Sequence, residues 1–180
     1  MELTTDQKGT AAETAIIHAA ARIGVVVFKP ISDGVRYDLI FDVHGALLRV
    51  QVKWARLHGG VVIIRCYSAR RAREGLRSRN HTAAEVDALA AWCPDLDRSF
   101  LLVPEHFAGR RVLQLRISPT HNNQRVGINW ADEFDFTVRL RRLGAVAQLG
   151  ERLTGSQKAT GSSPVGSISD HQRLPRSLFD

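Results

Sequence analysis

The stretch "RYDLIFDVHGALLRVQVKWA", residues 36–55, decides how this chain folds. Two β-branched and aromatic runs flank His44-Gly45, a two-residue turn, so the segment predicts an antiparallel hairpin. Side chains alternate across a strand. Tyr37, Leu39, Phe41 and Val43 therefore share one face, and Asp38, Ile40 and Asp42 the other. On the second strand Gln51 and Lys53 point together, opposite Val50, Val52 and Trp54. Pairing the strands across the turn brings Asp38 beside Gln51 and Lys53, so three polar groups meet at one edge of a sheet whose reverse face is apolar.

Upstream, "TTDQKGTAAETAIIHAAARIG" places Glu13, Ile16, Ile17, Ala20 and Gly24 at i, i+3, i+4, i+7 and i+11, one face of a helix. Gly24 closes that helix, and "VVVFKPI" follows as a strand with Pro30 near its end. The helix stripe carries Glu13 over the hairpin sheet. Downstream, "GGVVIIRCYSA" predicts a fourth strand. "SARRAREGLRSRNHT" predicts a polar segment with Arg70, Arg71, Arg73, Arg77 and Arg79 against the single acid Glu74. "TAAEVDALAAWC" opens with Thr82 and Glu85 in capping-box spacing, which predicts a helix ending at Pro94. "RSFLLVPEHF" and "RVLQLRI" predict two more strands, and the stretch from there to about Leu143 reads as polar and turn-rich. No internal repeat is present.

The chain has 180 residues, 44% of them hydrophobic, which suits one domain with one core. Lys and Arg number 25 against 18 Asp and Glu, for a formal net charge of +7. That balance favours a polyanionic partner, nucleic acid first, over a basic surface kept only for solubility. Cys66 and Cys93 follow no metal-ligand or CxxC spacing and are expected to be buried, reduced thiols. The N-terminus lacks the basic-then-apolar order of a signal peptide, and no apolar run reaches the roughly 18 residues a membrane span needs. The expectation is a soluble protein of the cytoplasm, with no membrane partner. The scattered histidines form no ligand pair, and the chain has no P-loop, dinucleotide fingerprint or nucleophile elbow.

Two carboxylates with an amide or main-chain oxygen make a hard-oxygen site suited to magnesium, which keeps several waters and takes one or two protein carboxylates. A lysine beside it can orient or deprotonate an attacking water, or neutralise charge on a phosphate in transfer. Each residue also has a plainer reading. Asp38 can bond a neighbouring backbone amide, Lys53 can block a sheet edge, and Glu13 can serve the helix dipole. Asp33, in a turn with Gly34, and Asp42 rank below Asp38 as metal ligands.

Glu13, then Asp38, then Gln51-Val52-Lys53 resembles the PD-(D/E)XK nuclease superfamily, and within it the intron-associated homing endonucleases whose second acidic position is a glutamine, as in "QVK". "EVDALAAWCPDLDRSFLLVP" and "LQLRISPTHNNQRVGINWA" resemble later segments of that branch, so the likeness covers about residues 7–136. It implies an α/β restriction-endonuclease-like core, a mixed central sheet flanked by helices in αβββαβ order. It implies hydrolysis of double-stranded DNA with magnesium, manganese being able to substitute. Glu13 and Asp38 would hold the metal, Gln51 would contact it or its water, and Lys53 would act on the nucleophile. Cutting both strands with one site per chain implies a homo-oligomer, a dimer or a tetramer. The sequence departs from the pattern in placing Pro30 eight residues before Asp38 and in the neutral Gln51. A Holliday-junction-resolvase-like nuclease shares this core, and the neutral Gln51 also suits a DNA-binding module with a decayed site.

Arg70, Arg71, Arg73, Arg77 and Arg79 are candidate phosphate contacts, and Asn122, Asn123 and Gln124 can contact bases or phosphates. From Gly144 the composition turns to Gly, Ser and Thr without apolar period, which predicts a catalytic domain over 1–143 and a disordered tail over 144–180. Val146 to Ser167 resembles a transfer RNA gene translated in frame: Val-Ala-Gln can be read from GTA GCT CAG, as in a D arm. Gly161 to Pro164 can be read from GGT TCG AGT CCC, as in a T arm.

Overall fold

The computed structural model describes residues 2–32, 34–119 and 126–145, apart from the side chains of 70–72 and 76. Helix α1, Thr5–Ala21, is started by a capping box in which Thr4 accepts from the Gln7 amide and Gln7 reaches back to the Thr4 amide. It ends where Gly24 takes φ +79°, a left-handed turn that glycine adopts without steric cost. Ala12, Ile16 and Ala20 are its buried stripe. Removing the Ile16 side chain from water contributes about 1.5–3 kcal/mol.

Strands β1 (Val26–Phe28), β2 (Leu39–Val43) and β3 (Ala46–Trp54) follow as an antiparallel meander. The predicted hairpin is present, and His44 and Gly45 both have positive φ, +55° and +89°, as a two-residue turn matched to strand twist requires. Next come β4 (Arg56–His58), β5 (Val61–Arg65), β6 (Tyr67–Ala72), β7 (Gly75–Asn80), β8 (Ala88–Cys93) and β9 (Arg98–Leu102). The short helix α2 (Pro104–Phe107), β10 (Val112–Arg116), a 3-10 turn at Ala131–Phe134 and helix α3 (136–145) complete the described chain. The central sheet runs β1-β2-β3-β8-β9, mixed because β3 and β8 are parallel.

Both faces of this sheet are covered. On one, Leu39, Phe41, Val50, Ala88, Ala90 and Leu101 pack under α1 and against Phe136 and Leu140 of α3. On the other, Leu89, Ala91, Phe100 and Leu102 meet Val62, Ile64, Leu113 and Leu115 of a three-stranded sheet, β10-β5-β4.

The expected α/β restriction-endonuclease-like core with a mixed central sheet is present, with helices on one face and a small sheet on the other, where helices were expected too. The expected helix over 82–94 is also absent. Thr82 and Glu85 do pair, but they close only a turn, with the Glu85 and Val86 amides on the Thr82 carbonyl at 3.0 and 3.1 Å. Asp87 then leaves the turn by donating its amide to the Arg49 carbonyl (2.8 Å), and "ALAAWC" continues as β8 beside β3. A strand buried on both faces is apolar at every position, so it carries no alternation to separate it from a helix. The crossover from β3 to β8 runs through β4–β7 in place of the expected helix. The arginine segment, expected as a polar loop, is the hairpin β6–β7 with Gly75 at its turn. The stretch read as turn-rich holds the 3-10 turn and α3, whose described residues pass the expected boundary at Leu143. A side chain at Gly144 would stand 2.7 Å from the His44 ring, so α3 lies against the β2–β3 turn. No helix among the described residues is long and apolar enough to cross a membrane.

Candidate active site

The β2–β3 register pairs Leu39 with Val50, and the Asp38 amide continues the ladder to the Val50 carbonyl at 2.9 Å. Asp38 thus lies opposite Gln51. Its Oδ2 accepts the Val52 amide at 2.7 Å and the Gln51 side-chain amide. The plainer reading of Asp38, a bond to backbone, therefore holds together with the polar cluster. Burial pushes the Asp38 carboxyl above its ordinary range, against the pull of the Val52 amide and the Lys53 charge, and Glu13 adds a like-charge push.

Lys53 points to the same side of β3 as Gln51. Burial lowers its ammonium to about 8, with Asp38 opposing and Arg36 assisting. Among the described residues it makes no hydrogen bond or ion pair, and the Asp38 carboxylate is the largest charge that opposes its loss of a proton. At neutral pH such a lysine keeps a proton that it can readily surrender.

Glu13, partly buried on α1, is paired with Lys29 at 2.7 Å. The Glu13 hydrogen bond and charge raise the Lys29 ammonium, and Asp38 adds to the effect. One side-chain cation therefore answers both carboxylates that the sequence nominated for metal. Glu13 Oε1 and Asp38 Oδ1 make no hydrogen bond among the described residues. Those residues include no cluster of three His, Cys, Asp or Glu. A divalent ion would rest on two carboxylates, an amide or main-chain oxygen, and water, a hard-oxygen set that fits magnesium.

A cavity of about 810 Å³ opens beside Asp38 and Gln51, and its far wall is Ser68, Arg77, Ser78 and Arg79 of the β6–β7 hairpin. A second, of about 500 Å³, holds Lys53 and meets the first at Ser68 and Ala69. The catalytic candidates straddle the root of the arginine hairpin.

Arg36 fastens that hairpin. It donates to Ser68 Oγ at 2.8 Å and to the Asn80 carbonyl at 3.3 Å, while its Nε lies 3.4 Å from Glu85. Arg79 pairs with Glu85 and Arg77 with Glu74. Arg73 lies in the exposed turn of the hairpin, and Arg70 and Arg71 fall on β6. The side chains of Arg70 and Arg71 lie outside the described residues, as do Asn122, Asn123, Gln124 and Asp33. Asp42 accepts the Gly45 amide at 2.8 Å and serves the turn.

The sequence reading missed Arg36, Lys29 and His81. Arg36 had a signal, since alternation puts residues 36 and 38 on one side. His81 is fully buried at the hairpin root, with neither ring nitrogen hydrogen-bonded among the described residues. Burial lowers its imidazole to about 4, with Lys53 and Arg36 assisting, so it is neutral at pH 7.

A mixed sheet whose hairpin carries Asp, Gln and Lys beneath a helix-borne Glu, at the root of an arginine-rich hairpin, defines a nuclease of the restriction-endonuclease type. A family model described as PD-(D/E)XK endonuclease matches residues 3–137, and the chain belongs to that family. It is a DNA endonuclease, a hydrolase of phosphodiester bonds. Among solved structures, a bacterial homing endonuclease, I-Ssp6803I, is similar in fold with a TM-score of 0.66. It is 24% identical over 81% of this chain and 98% of that chain. Among curated proteins, none matches the chain.

Proposed function

We propose that the protein is a magnesium-dependent endonuclease that cuts double-stranded DNA at a specific site, as an intron-associated homing endonuclease does. The observation that carries this reading is the placement of Lys53 on the side of β3 that carries Gln51, whose amide bonds the buried Asp38, at the root of an arginine-rich hairpin. Its likeness in fold to a bacterial homing endonuclease supports the finer assignment.

Glu13 and Asp38 would hold the cation, with Gln51 on the ion or its water. A bound magnesium supplies Lewis-acid stabilisation of charge on phosphoryl oxygens and lowers the pKa of water. Lys53 positions the attacking water and, in the fraction of molecules where its own proton has left, takes the water's proton. Gln51 and the Val52 amide fix Asp38 from one side, leaving Oδ1 toward the reaction. Arg36 holds the hairpin so that Arg73 and Arg77, with Arg70 and Arg71, can meet DNA phosphates, while Asn122, Asn123 and Gln124 read bases or phosphates. Manganese, also a hard oxygen-seeking ion, substitutes. The acting form is at least a dimer, since one such site per chain cuts one strand at a time. The buried, unbridged Cys66 and Cys93 are in keeping with a reducing cytoplasm.

The test offers plasmid carrying the intronless neighbouring locus, with four-way junction DNA alongside, at graded magnesium. Double-strand cleavage at one locus supports the reading. Cleavage confined to the junction makes the protein a resolvase-like enzyme, and binding without cleavage makes it a module with a decayed site.

A further inference from the structure

We infer that the cavity holding Lys53 is a second phosphate-binding subsite, built by Arg56 and Arg65, which grips a backbone phosphodiester next to the one being cut. The inference rests on the DNA-cleaving function proposed above. Arg56 of β4 pairs in register with Ile63 of β5, so Arg56, Ile63 and Arg65 share one face of the second sheet. The opposite face, with Val62, Ile64, Leu113 and Leu115, is buried in the core. The two arginines are held on a rigid, core-anchored platform and point away from it.

This cavity of about 500 Å³ is also lined by Lys8 and Lys53, and by no aspartate or glutamate. Lys8 bonds Glu2, a nearly fully exposed residue, at 3.2 Å. Arg56 and Arg65 make no hydrogen bond or ion pair among the described residues, whereas Arg36, Arg49, Arg77, Arg79 and Arg98 each face a carboxylate. Cations gathered around one concavity repel one another, and an anion relieves that repulsion. A phosphodiester suits guanidinium groups, which can give it two parallel hydrogen bonds. Because this cavity meets the one beside Asp38 and Gln51 at Ser68 and Ala69, a phosphate seated here would belong to the strand that enters the active site.

The test measures binding of a mixed-sequence DNA duplex to the full chain across a salt series. Arg56→Gln and Arg65→Gln are compared with Arg116→Gln, a matched charge change on the same sheet face but outside the cavity. Each phosphate contact contributes roughly 0.9 to the log–log salt slope. The expected result is a slope flattened by about that amount for Arg56→Gln and for Arg65→Gln, and unchanged for Arg116→Gln, with melting temperatures equal to the parent. Equal effects from all three variants, or none from the first two while the parent binds DNA with a steep slope, would overturn the subsite. A parent that does not bind DNA would overturn both the subsite and the proposed function.

Discussion

Replacing Lys53 with methionine should make the protein more stable while abolishing cleavage. Folding moves the Lys53 ammonium from its ordinary 10.5 to about 8, chiefly by burial, and the attraction of Asp38 is already within that value. A pKa unit is worth about 1.36 kcal/mol. The fall therefore corresponds to roughly 3 kcal/mol spent on holding the charge in the folded state, and water reaching the partly exposed side chain reduces this to about 1–3 kcal/mol. The folded protein releases this proton near pH 8 and the unfolded chain near 10.5, so between those values the unfolded state binds more protons and wild-type stability rises with pH. The penalty is complete below pH 8 and gone by about 10.5. Urea unfolding at pH 7 should find Lys53→Met more stable by about 1–3 kcal/mol, with the gap closing as pH rises from about 8 to about 10.5. A variant that is less stable at pH 7, or a gap that does not change with pH, would refute the reasoning. The same group governs rate: if it takes the proton from water, cleavage rises about tenfold from pH 7 to 9 and then levels.

Lys29→Met removes the side-chain cation from Glu13. Because Lys29 is mostly exposed, titration of magnesium into the protein without DNA should show binding strengthened only modestly, up to about fivefold. Asp87→Asn loosens the start of the parallel β3–β8 pairing, where the carboxylate takes the Arg49 amide at 2.8 Å and two guanidinium bonds. The expected cost, discounted for solvent screening, is about 1 kcal/mol by urea unfolding at pH 7. The Arg49 bond holds the Asp87 carboxyl below its ordinary 3.8, so this stabilisation is present above that pH and lost as acid titrates the folded protein. A chain ending at Ala145 should melt and cleave as the full chain does, since every proposed catalytic residue and the described part of α3, with its buried Phe136 and Leu140, lie within it. A much lower melting temperature would make the remainder part of the fold.

The Asp38–Gln51–Lys53 cluster could be read from sequence because strict alternation and the two-residue turn at His44-Gly45 leave one register, and a one-residue slip would bury the wrong face. Glu13 was readable from helical spacing for the same reason of period. β8 was not: Ala88 and Ala90 face α1 while Leu89 and Ala91 face the second sheet, so no polar side marks the strand. The Thr82–Glu85 pair, a helix-start signal in isolation, here closes a turn that Asp87 diverts into sheet. Arg36 and His81 escaped notice because what defines them is distant in sequence. The Ser68 partner of Arg36 lies 32 residues away, and His81 is set apart by burial at the root of a hairpin that reads in sequence only as a polar, arginine-rich segment.

The most direct measurement is cleavage of double-stranded DNA at graded magnesium by wild type and Asp38→Asn, with DNA affinity measured in parallel. Asn keeps the shape of the side chain but removes the buried charge that answers Lys53 and would hold the ion. The expected result is magnesium-dependent cleavage by wild type and loss of it in Asp38→Asn, with affinity for DNA nearly unchanged. Cleavage by Asp38→Asn near the wild-type rate would contradict the assignment of the active site.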